Sequence, residues 1–268
     1  MKDFNSGLLK QLYRPAKASH KGQNGKLLVI GGSELFHAAA FWTADVASRI
    51  VDLVHFSSPV MENNELMRIK AKEKFWNGIV VPWEKVEEYI REDDCIVIGP
   101  GMVRESGEEA GDKDTGDVTN YLLKKFRDKK WVIDGGAVQE MDRELLNQQM
   151  IVTPHQGEFV RLFGEANIEM MAKRYKCTIL LKGVEDVVCS QDKCVRVSGG
   201  NEAMTKGGTG DVLAGLVGAL YCKNDAFLAA AAGSYINKQA GDSLYKKVGP
   251  YFNAIDLVNE IPGAMRGL

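Results

Sequence analysis

The sequence predicts an α/β sandwich with a mostly parallel central sheet, helices on both faces and an antiparallel hairpin at one edge. Short apolar runs alternate with stretches of helical periodicity along the 268 residues. Apolar strands that alternate with helices are typical of a parallel sheet covered on both sides. Two further apolar runs are separated only by Gln191-Asp192-Lys193, which is the spacing of a hairpin.

Each predicted strand is a short run of residues with high β-strand propensity that ends in turn residues. The strands are Lys26–Ile30, Leu53–Ser57, Cys95–Ile98, Trp131–Ile133, Met150–Val152, Thr178–Leu181, Val187–Ser190 and Cys194–Val197. Helices are predicted at Phe36–Val51, Val212–Tyr221 and Asp225–Ala240, and a last one from Ala254. Ligands bind at the carboxyl ends of strands in such sheets, so we expect the polar turns at 31–33, 99–101, 153–155 and 182–183 to meet there with the glycine loop at 207–210.

Composition narrows the class of protein. The length suits one large α/β domain or two small ones, and no segment reads as a linker, so one domain is expected over residues 1–268. The 45% hydrophobic content is ordinary for a soluble globular protein. The net charge of −2 favours neither nucleic acid nor a membrane as a partner. An apolar signal segment and a long apolar run are missing, so a cytoplasmic location is expected. The five cysteines show no C-x-x-C pair, so neither a zinc motif nor a disulfide framework is expected, and Cys95 and Cys177 are predicted core residues.

The glycine loop Gly207-Gly-Thr-Gly-Asp211 is the most informative segment. It runs directly into an apolar helix, and free N–H groups at a helix N-terminus bind anions. A carboxylate beside a phosphate is unfavourable unless it accepts a proton, so Asp211 is a candidate general base. The structural alternative is an acidic residue that stabilises the first turn of the helix. The Walker P-loop is missing, so any nucleotide must be held differently, and the missing G-x-S-x-G motif disfavours an α/β-hydrolase.

Other motifs each have a functional and a structural interpretation. Glu158, three residues after His155, could hold a hydrated magnesium ion, or the segment Thr153–Glu158 could cap a helix. Lys182-Gly183 could contact phosphate or ribose, or Lys182 could be an ordinary exposed lysine. Gly31-Gly32-Ser33 lacks the G-x-G-x-x-G pattern and reads as a strand-to-helix turn. The acidic segment 103–117 is predicted to be a surface loop.

Together these motifs resemble the ribokinase-like superfamily and, within it, the NAD(P)H-hydrate dehydratases. The glycine loop resembles the anion hole and catalytic aspartate of the superfamily. The narrower resemblance rests on an ordered set of segments from about Lys21 to Ala240. These are Lys21-Gly22…Gly25-Lys26, Gly32-Ser33, Ile98-Gly-Pro-Gly-Met102, Ile133-Asp134, Val152-Thr-Pro-His155 with Glu158, Leu180-Leu-Lys-Gly183 and Asn201–Asp211.

The resemblance implies a ribokinase-like three-layer α/β/α sandwich and a carbon–oxygen lyase that repairs nicotinamide cofactors. Members phosphorylate the ring hydroxyl of the S form of hydrated NADH or NADPH, with ADP or ATP and Mg²⁺, and then release phosphate. The resemblance implies that Asp211 is the catalytic base and that Gly208, Thr209 and Gly210 form the anion hole. It implies a substrate site of Ala39, Gly101, His155 and Asp211, and a nucleotide site of Lys182, Gly183 and Gly210. Glu158 is the implied magnesium contact, through water. Family members often form tetramers, so a homo-oligomer is expected.

The sequence also departs from the family pattern. His37-Ala38 replaces a frequent Pro-Gly, and Asp134-Gly-Gly136 replaces a frequent Asp-Ala-Asp. Only about twenty residues precede the first predicted strand, so no N-terminal epimerase domain is expected and a separate NAD(P)H-hydrate epimerase is the implied functional link. Two alternatives stay open: a ribokinase-like kinase of a thiazole or hydroxymethylpyrimidine, and a catalytically silent nucleotide-binding or assembly protein. The retained Asp211 disfavours the silent protein.

Overall fold

A ten-stranded sheet organises the chain, which the computed structural model describes over residues 1–73, 78–104 and 114–266. The strands are β1 (Lys2–Asp3), β2 (Lys26–Ile30), β3 (Leu53–Ser57), β4 (Gly78–Val80), β5 (Cys95–Ile98), β6 (Lys130–Ile133), β7 (Met150–Val152), β8 (Thr178–Leu181), β9 (Asp186–Cys189) and β10 (Cys194–Val197). Their spatial order is β1-β10-β9-β8-β7-β6-β5-β2-β3-β4. β9 is antiparallel to both neighbours, and every other pair is parallel.

Helices cover both faces of this sheet. They are α1 (His37–Ala47), α2 (Met61–Glu73), α3 (Val86–Glu92), α4 (Thr115–Lys125), α5 (Gly135–Glu140), α6 (Gln156–Phe163), α7 (Ile168–Tyr175), α8 (Thr209–Tyr221), α9 (Ala226–Val248) and α10 (Ala254–Met265). The alternation of side chains along β2 supplies both cores. Leu27 and Val29 pack with α1, α8, α9 and α10, whereas Leu28 and Ile30 pack with α3 to α7. The predicted mostly parallel α/β sandwich is therefore confirmed.

Helix α8 approaches helix α1 and strand β5 more closely than a helix with side chains at the contact positions could. A Cβ atom on Gly215 would come within 2.3 Å of the Thr43 carbonyl oxygen in α1, and one on Gly218 within 2.4 Å of Val97 Cγ2 in β5. Glycine at these two positions allows the close approach of the backbones. This packing determines where the N-terminus of α8 lies relative to the ends of the strands.

Most predicted elements are confirmed, and the differences occur mainly at ends and edges. The helix predicted at Phe36–Val51 is shorter, α9 is longer, and the hairpin strand predicted at Val187–Ser190 begins and ends one residue earlier. The hairpin is not outermost, because β1 pairs in parallel with β10 and forms the edge. Of the predicted loop 103–117, residues from Thr115 onward are helical with Asp114 as N-cap, and residues 105–113 lie outside the described residues.

The cysteines are the clearest correction. Cys189 and Cys194 form a disulfide, although their spacing suggested no pairing. The two residues are direct partners in the antiparallel ladder, with Cα atoms 4.1 Å apart, so the hairpin register brings them together. Cys95 and Cys177 are buried and unpaired, as predicted. Within the described ranges, no helix is both long enough and apolar enough to span a membrane.

Candidate active site

Polar residues meet at the carboxyl ends of β6, β7 and β8. Asp134 follows β6, Thr153 and His155 follow β7, and Lys182 follows β8. A parallel bridge between His155 and Lys182 extends the pairing of β7 with β8. Lys182 Nζ lies 2.8 Å from Asp134 Oδ1 and 4.0 Å from Glu158 Oε2, and Thr153 Oγ1 donates to Asp134 Oδ1 at 2.7 Å. The expected convergence of these strand ends is therefore present in the structure.

The glycine loop turns sharply into the first residues of α8. Gly208 has φ of +96°, and a Cβ atom there would lie 2.4 Å from the Trp42 ring. Only glycine tolerates both the left-handed conformation and this contact. Thr209 Oγ1 donates to the carbonyl oxygens of Met204 at 2.6 Å and Lys206 at 2.9 Å, which holds the loop in place. The Thr209 N–H donates to the Lys206 carbonyl oxygen at 3.4 Å, whereas the other first-turn N–H groups of α8 lack intrahelical partners and can face an anion.

Asp211 lies in this first turn and has an altered acidity. Its carbonyl oxygen accepts a hydrogen bond from Thr43 Oγ1 at 3.0 Å, and the same hydroxyl contacts the Ala39 carbonyl, so α1 is bound to α8 beside the carboxyl group. Burial, and next the negative charge of Asp134, raise the pKa of Asp211 to about 7, although the Lys182 ammonium opposes the shift. A carboxyl group with this pKa can accept a proton near neutral pH.

Lys182 is surrounded by carboxylates. Burial by itself lowers the pKa of its ammonium group, but the charges of Asp134, Glu158 and Asp211 outweigh burial and raise the pKa. The ammonium group therefore stays protonated, and the charge of Asp211 acts on it together with the charges of Asp134 and Glu158. The interpretation of Lys182 as an ordinary exposed lysine does not match this environment.

The His155–Glu158 segment forms the capping arrangement that the sequence left open. The His155 ring accepts from the Glu158 N–H at 3.2 Å, and Glu158 Oε2 accepts from the His155 N–H at 2.9 Å, so the pair forms a capping box for α6. Glu158 Oε1 also accepts from Gln139 Nε2 at 3.1 Å. Glu158 is 3% exposed, and its Oε1 and Oε2 atoms also lie 3.6 Å from His155 Nε2 and 4.0 Å from Lys182 Nζ, respectively.

A second group of predicted residues lies where β5 meets α1. Gly101 has φ of +72°, and a Cβ atom there would lie 2.5 Å from the Phe36 carbonyl oxygen and 3.1 Å from Ala39 Cβ. Ala39 and Gly101 are therefore adjacent, and His37 is exposed in the first turn of α1. Gly136 stands where the family frequently has an aspartate, and the structure gives a steric reason for the glycine. A Cβ atom at this position would lie 2.4 Å from the Met102 carbonyl oxygen.

A cavity of about 670 Å³ opens beside the glycine loop. It contains the predicted nucleotide-side residues Lys182, Gly183 and Gly210, together with His155. The remaining lining residues are Val184, Asp186, Gly199, Gly200, Asn201, Glu202, Met204, Thr205, Thr209, Leu213, Asn237 and Lys238. Ala39, Gly101 and Asp211 are not among its lining residues, so the predicted site residues divide into two groups that meet near Asp211.

Sequence reasoning missed the importance of Asp134 and of the α9 residues in the cavity wall. Asp134 could have been found, because it directly follows a predicted strand at the ligand-binding edge of the sheet. Asn237 and Lys238 gave no signal, because they lie inside a helix whose pattern indicates only packing. Among the described residues there is no cluster of three or more His, Cys, Asp or Glu side chains able to hold a metal ion.

The fold of the chain is ribokinase-like. A ribokinase-like superfamily protein from Enterococcus faecalis superposes with a TM-score of 0.81 at 20% identity, over 99% of this chain and 95% of that chain. A sequence profile described as NAD(P)H-hydrate dehydratase matches residues 27–263. The chain belongs to the NAD(P)H-hydrate dehydratase family, and the resemblance in its motifs is thereby confirmed.

Individual relatives agree with this assignment. The chain is 36% identical, over 97% of its length, to a bifunctional NAD(P)H-hydrate repair enzyme from Methanocaldococcus jannaschii, and it spans 52% of that relative, about half its length. It is 32% identical to an ADP-dependent (S)-NAD(P)H-hydrate dehydratase from Nitrosopumilus maritimus, over 99% of this chain and 97% of that protein. An ADP/ATP-dependent NAD(P)H-hydrate dehydratase from Bacillus subtilis, co-crystallised with ATP/Mg²⁺, superposes with a TM-score of 0.78 at 22% identity, over 98% of this chain and 97% of that chain.

Proposed function

We propose that this protein restores NADH and NADPH from the S form of their hydrates, with ADP or ATP as phosphoryl donor. One observation carries the proposal. Asp211, whose pKa is raised to about 7, lies in the first turn of α8 directly after a glycine loop. A base and an anion site in adjacent residues suit phosphoryl transfer to a hydroxyl group. Membership in the dehydratase family identifies the hydroxyl as that of a hydrated nicotinamide ring.

The reaction would begin at the junction of the two groups of site residues. The nucleotide lies in the cavity against Lys182, Gly183 and Gly210, and the hydrated ring lies against Ala39, Gly101 and His155. Asp211 takes the hydroxyl proton while the hydroxyl oxygen attacks the terminal phosphorus. The new oxygen–phosphorus bond forms as the bridging bond of the donor breaks. The N–H groups of Gly208, Thr209 and Gly210 stabilise negative charge on the transferred group.

The second half of the reaction is an elimination. The carbon–oxygen bond breaks and phosphate leaves with the electron pair. The neighbouring ring carbon then gives its proton to water, and the electrons of that carbon–hydrogen bond restore the double bond of the reduced cofactor. Lys182, which stays protonated among its carboxylate neighbours, supplies positive charge near the departing phosphate.

Magnesium fits this site through water contacts. Mg²⁺ commonly keeps several waters and binds through one or two carboxylates and substrate phosphates, so a cluster of protein ligands is not required. Glu158 is the residue that would hold a water of its shell, because both oxygens keep a free lone pair beside their hydrogen bonds. When bound, the ion neutralises charge on the donor phosphates.

The decisive experiment supplies hydrated NADH, Mg²⁺ and either ADP or ATP. Recovery of the absorbance of the reduced nicotinamide, with equimolar phosphate release, is the expected result. Asp211→Asn is the matched inactive control. A stable phosphorylated alcohol made from a thiazole or hydroxymethylpyrimidine would instead identify a small-molecule kinase. Unchanged nucleotide with every substrate would indicate a catalytically silent protein.

We further propose that the protein acts as a cytoplasmic homo-oligomer, and that epimerisation of the R hydrate comes from an NAD(P)H-hydrate epimerase. Exposed apolar side chains support association. Tyr251 is 87% exposed and Ile255 is 49% exposed, in the α9–α10 connection and the first turn of α10. Light scattering at micromolar concentration tests this point, and a mass four times that of the chain is the expected result.

A further inference from the structure

Helix α9 forms one wall of the nucleotide cavity. Asn237 and Lys238 line the cavity from this helix, and their exposed fractions are 4% and 6%. Neither residue has a role in the reaction described above. Buried polar side chains normally have hydrogen-bond partners, so the partners of these two residues indicate what each one does.

The side-chain contacts of Lys238 stabilise the wall of the cavity. Its Nζ donates to the carbonyl oxygens of Gly183 at 3.2 Å and Val184 at 3.0 Å, and it lies 3.4 Å from Asp186 Oδ1. Asp186 in turn accepts from the Gly183 N–H at 2.9 Å and from Ser234 Oγ at 2.7 Å. The three donors of the ammonium group face three acceptors, so Lys238 holds the turn at 183–186 rather than the ligand.

Asn237 is different because its side chain is incompletely satisfied. Its Oδ1 atom is buried and accepts no hydrogen bond from any residue in the ranges 1–73, 78–104 and 114–266. The only other such side-chain atoms in these ranges are Asn63 Oδ1 and Thr119 Oγ1, and neither residue lines the cavity. Asn237 Nδ2 also has no hydrogen-bond partner in these ranges, so the amide can rotate and turn Oδ1 toward the cavity, where a ligand can supply the missing donor.

We propose that Asn237 is a specificity-determining residue, whose side-chain amide accepts a hydrogen bond from the nucleoside of the phosphoryl donor. The inference rests on the proposed function, since it requires the nucleotide in this cavity. The phosphates are placed at the N-terminus of α8, beside Thr209 and Gly210. Phosphate oxygens are acceptors at neutral pH and cannot satisfy another acceptor. The donors that ADP offers are the adenine amino group and the ribose hydroxyls, so the amide recognises one of these.

Nucleotide analogues identify which donor is used. Binding of ADP, inosine diphosphate, 2′-deoxy-ADP and 3′-deoxy-ADP is measured by calorimetry with Mg²⁺ on the unsubstituted protein and on Asn237→Leu. Leucine keeps the branching of asparagine and removes the amide. The variant is expected to bind ADP about 2- to 10-fold more weakly, as for the loss of one hydrogen bond. The analogue that lacks the recognised donor should show the same loss on the unsubstituted protein and no further loss on the variant.

Thr119→Val is the matched control. It also removes a buried oxygen without a partner, but in α4, away from the cavity. Its ADP affinity should equal that of the unsubstituted protein. Both substitutions should keep or raise the Tm of the ligand-free protein, because each removes an unsatisfied polar atom. Only Asn237→Leu should reduce the rise in Tm that ADP causes.

The outcomes separate this inference from the proposed function. If the unsubstituted protein binds neither ADP nor ATP, both are wrong. If it binds ADP and Asn237→Leu binds it equally well, only the role of Asn237 is wrong. If the variant does not fold, the analogue series on the unsubstituted protein decides alone, and equal affinity for ADP and all three analogues overturns the inference.

Discussion

Replacing Asp211 by asparagine separates the two roles that this position can have, a catalytic base and a favourable charge at a helix N-terminus. Burial and the charge of Asp134 raise the pKa of Asp211 from 3.8 to about 7. The folded protein then binds this proton more tightly than the unfolded chain, so the contribution of Asp211 to stability falls as pH rises from about 4 to about 7. Asparagine removes this titration.

The size of the effect follows from the shift. One pKa unit corresponds to about 1.4 kcal/mol, so the ionised carboxylate lowers the free energy of unfolding by about 4 kcal/mol at pH 8 as an upper bound. At pH 5 the folded protein keeps the proton, and the same calculation gives about 1.5–2 kcal/mol. Loss of the helix-terminal charge opposes this gain by only about 0.3–1 kcal/mol. Asp211→Asn should therefore be more stable than the unsubstituted protein, and more so at pH 8.

Urea unfolding at pH 5 and pH 8, together with turnover of the S hydrate, tests this prediction. The rate should fall by about 10²–10⁴ while the fold is retained. Glu169→Gln is the matched control, because Glu169 is an exposed acid in the first turn of α7. It should lose about 0.3–1 kcal/mol of stability and keep full activity. An active Asp211→Asn variant that is less stable at both pH values would refute the assignment of Asp211 as base.

Three further substitutions, and one control substitution at Gly249, test the surroundings of the base. Asp134→Asn removes a charge that raises the pKa of Asp211, so the acid limb of kcat/KM against pH should move to lower pH, and an unmoved limb would contradict the coupling. Gly208→Ala puts a methyl group into an indole ring at positive φ and should lower kcat by about 10²-fold through displacement of the loop. Gly249→Ala also has positive φ but meets open space, so it should cost only about 1–2 kcal/mol of stability with turnover retained. His155→Asn keeps a preferred N-cap, so its Tm should match that of the unsubstituted protein while KM for the hydrate rises, and a lower Tm with unchanged KM would indicate a structural role alone.

The strands could be predicted well because each is a short apolar run between turn residues. Six predicted strands, β2, β3, β5, β7, β8 and β10, have the predicted ends. β1 and β4 have two and three residues, too few for a pattern, and they form because a neighbouring strand offers unpaired backbone groups. The disulfide was missed for a related reason, since only the hairpin register places Cys189 opposite Cys194.

The candidate site was predictable where chemistry is carried by local sequence. The glycine loop, Asp211 and the residues at the strand ends lie in short motifs whose backbone conformation follows from glycine, proline and helix-terminal residues. The capping role of His155 and Glu158 was one of two interpretations, and their reciprocal hydrogen bonds are present. Their contacts with substrate and magnesium stay predictions.

The sequence by itself determined the α/β class, the order of the strands along the chain and the loop that carries the candidate base. Only the tertiary structure decided the acidity of that base, the pairing of Lys182 with Asp134 and the unsatisfied amide of Asn237. The physical reason is distance. Backbone conformation depends on neighbours along the chain, whereas burial, charge–charge interaction and hydrogen-bond satisfaction depend on residues that lie far apart in sequence and meet only at the end of the sheet.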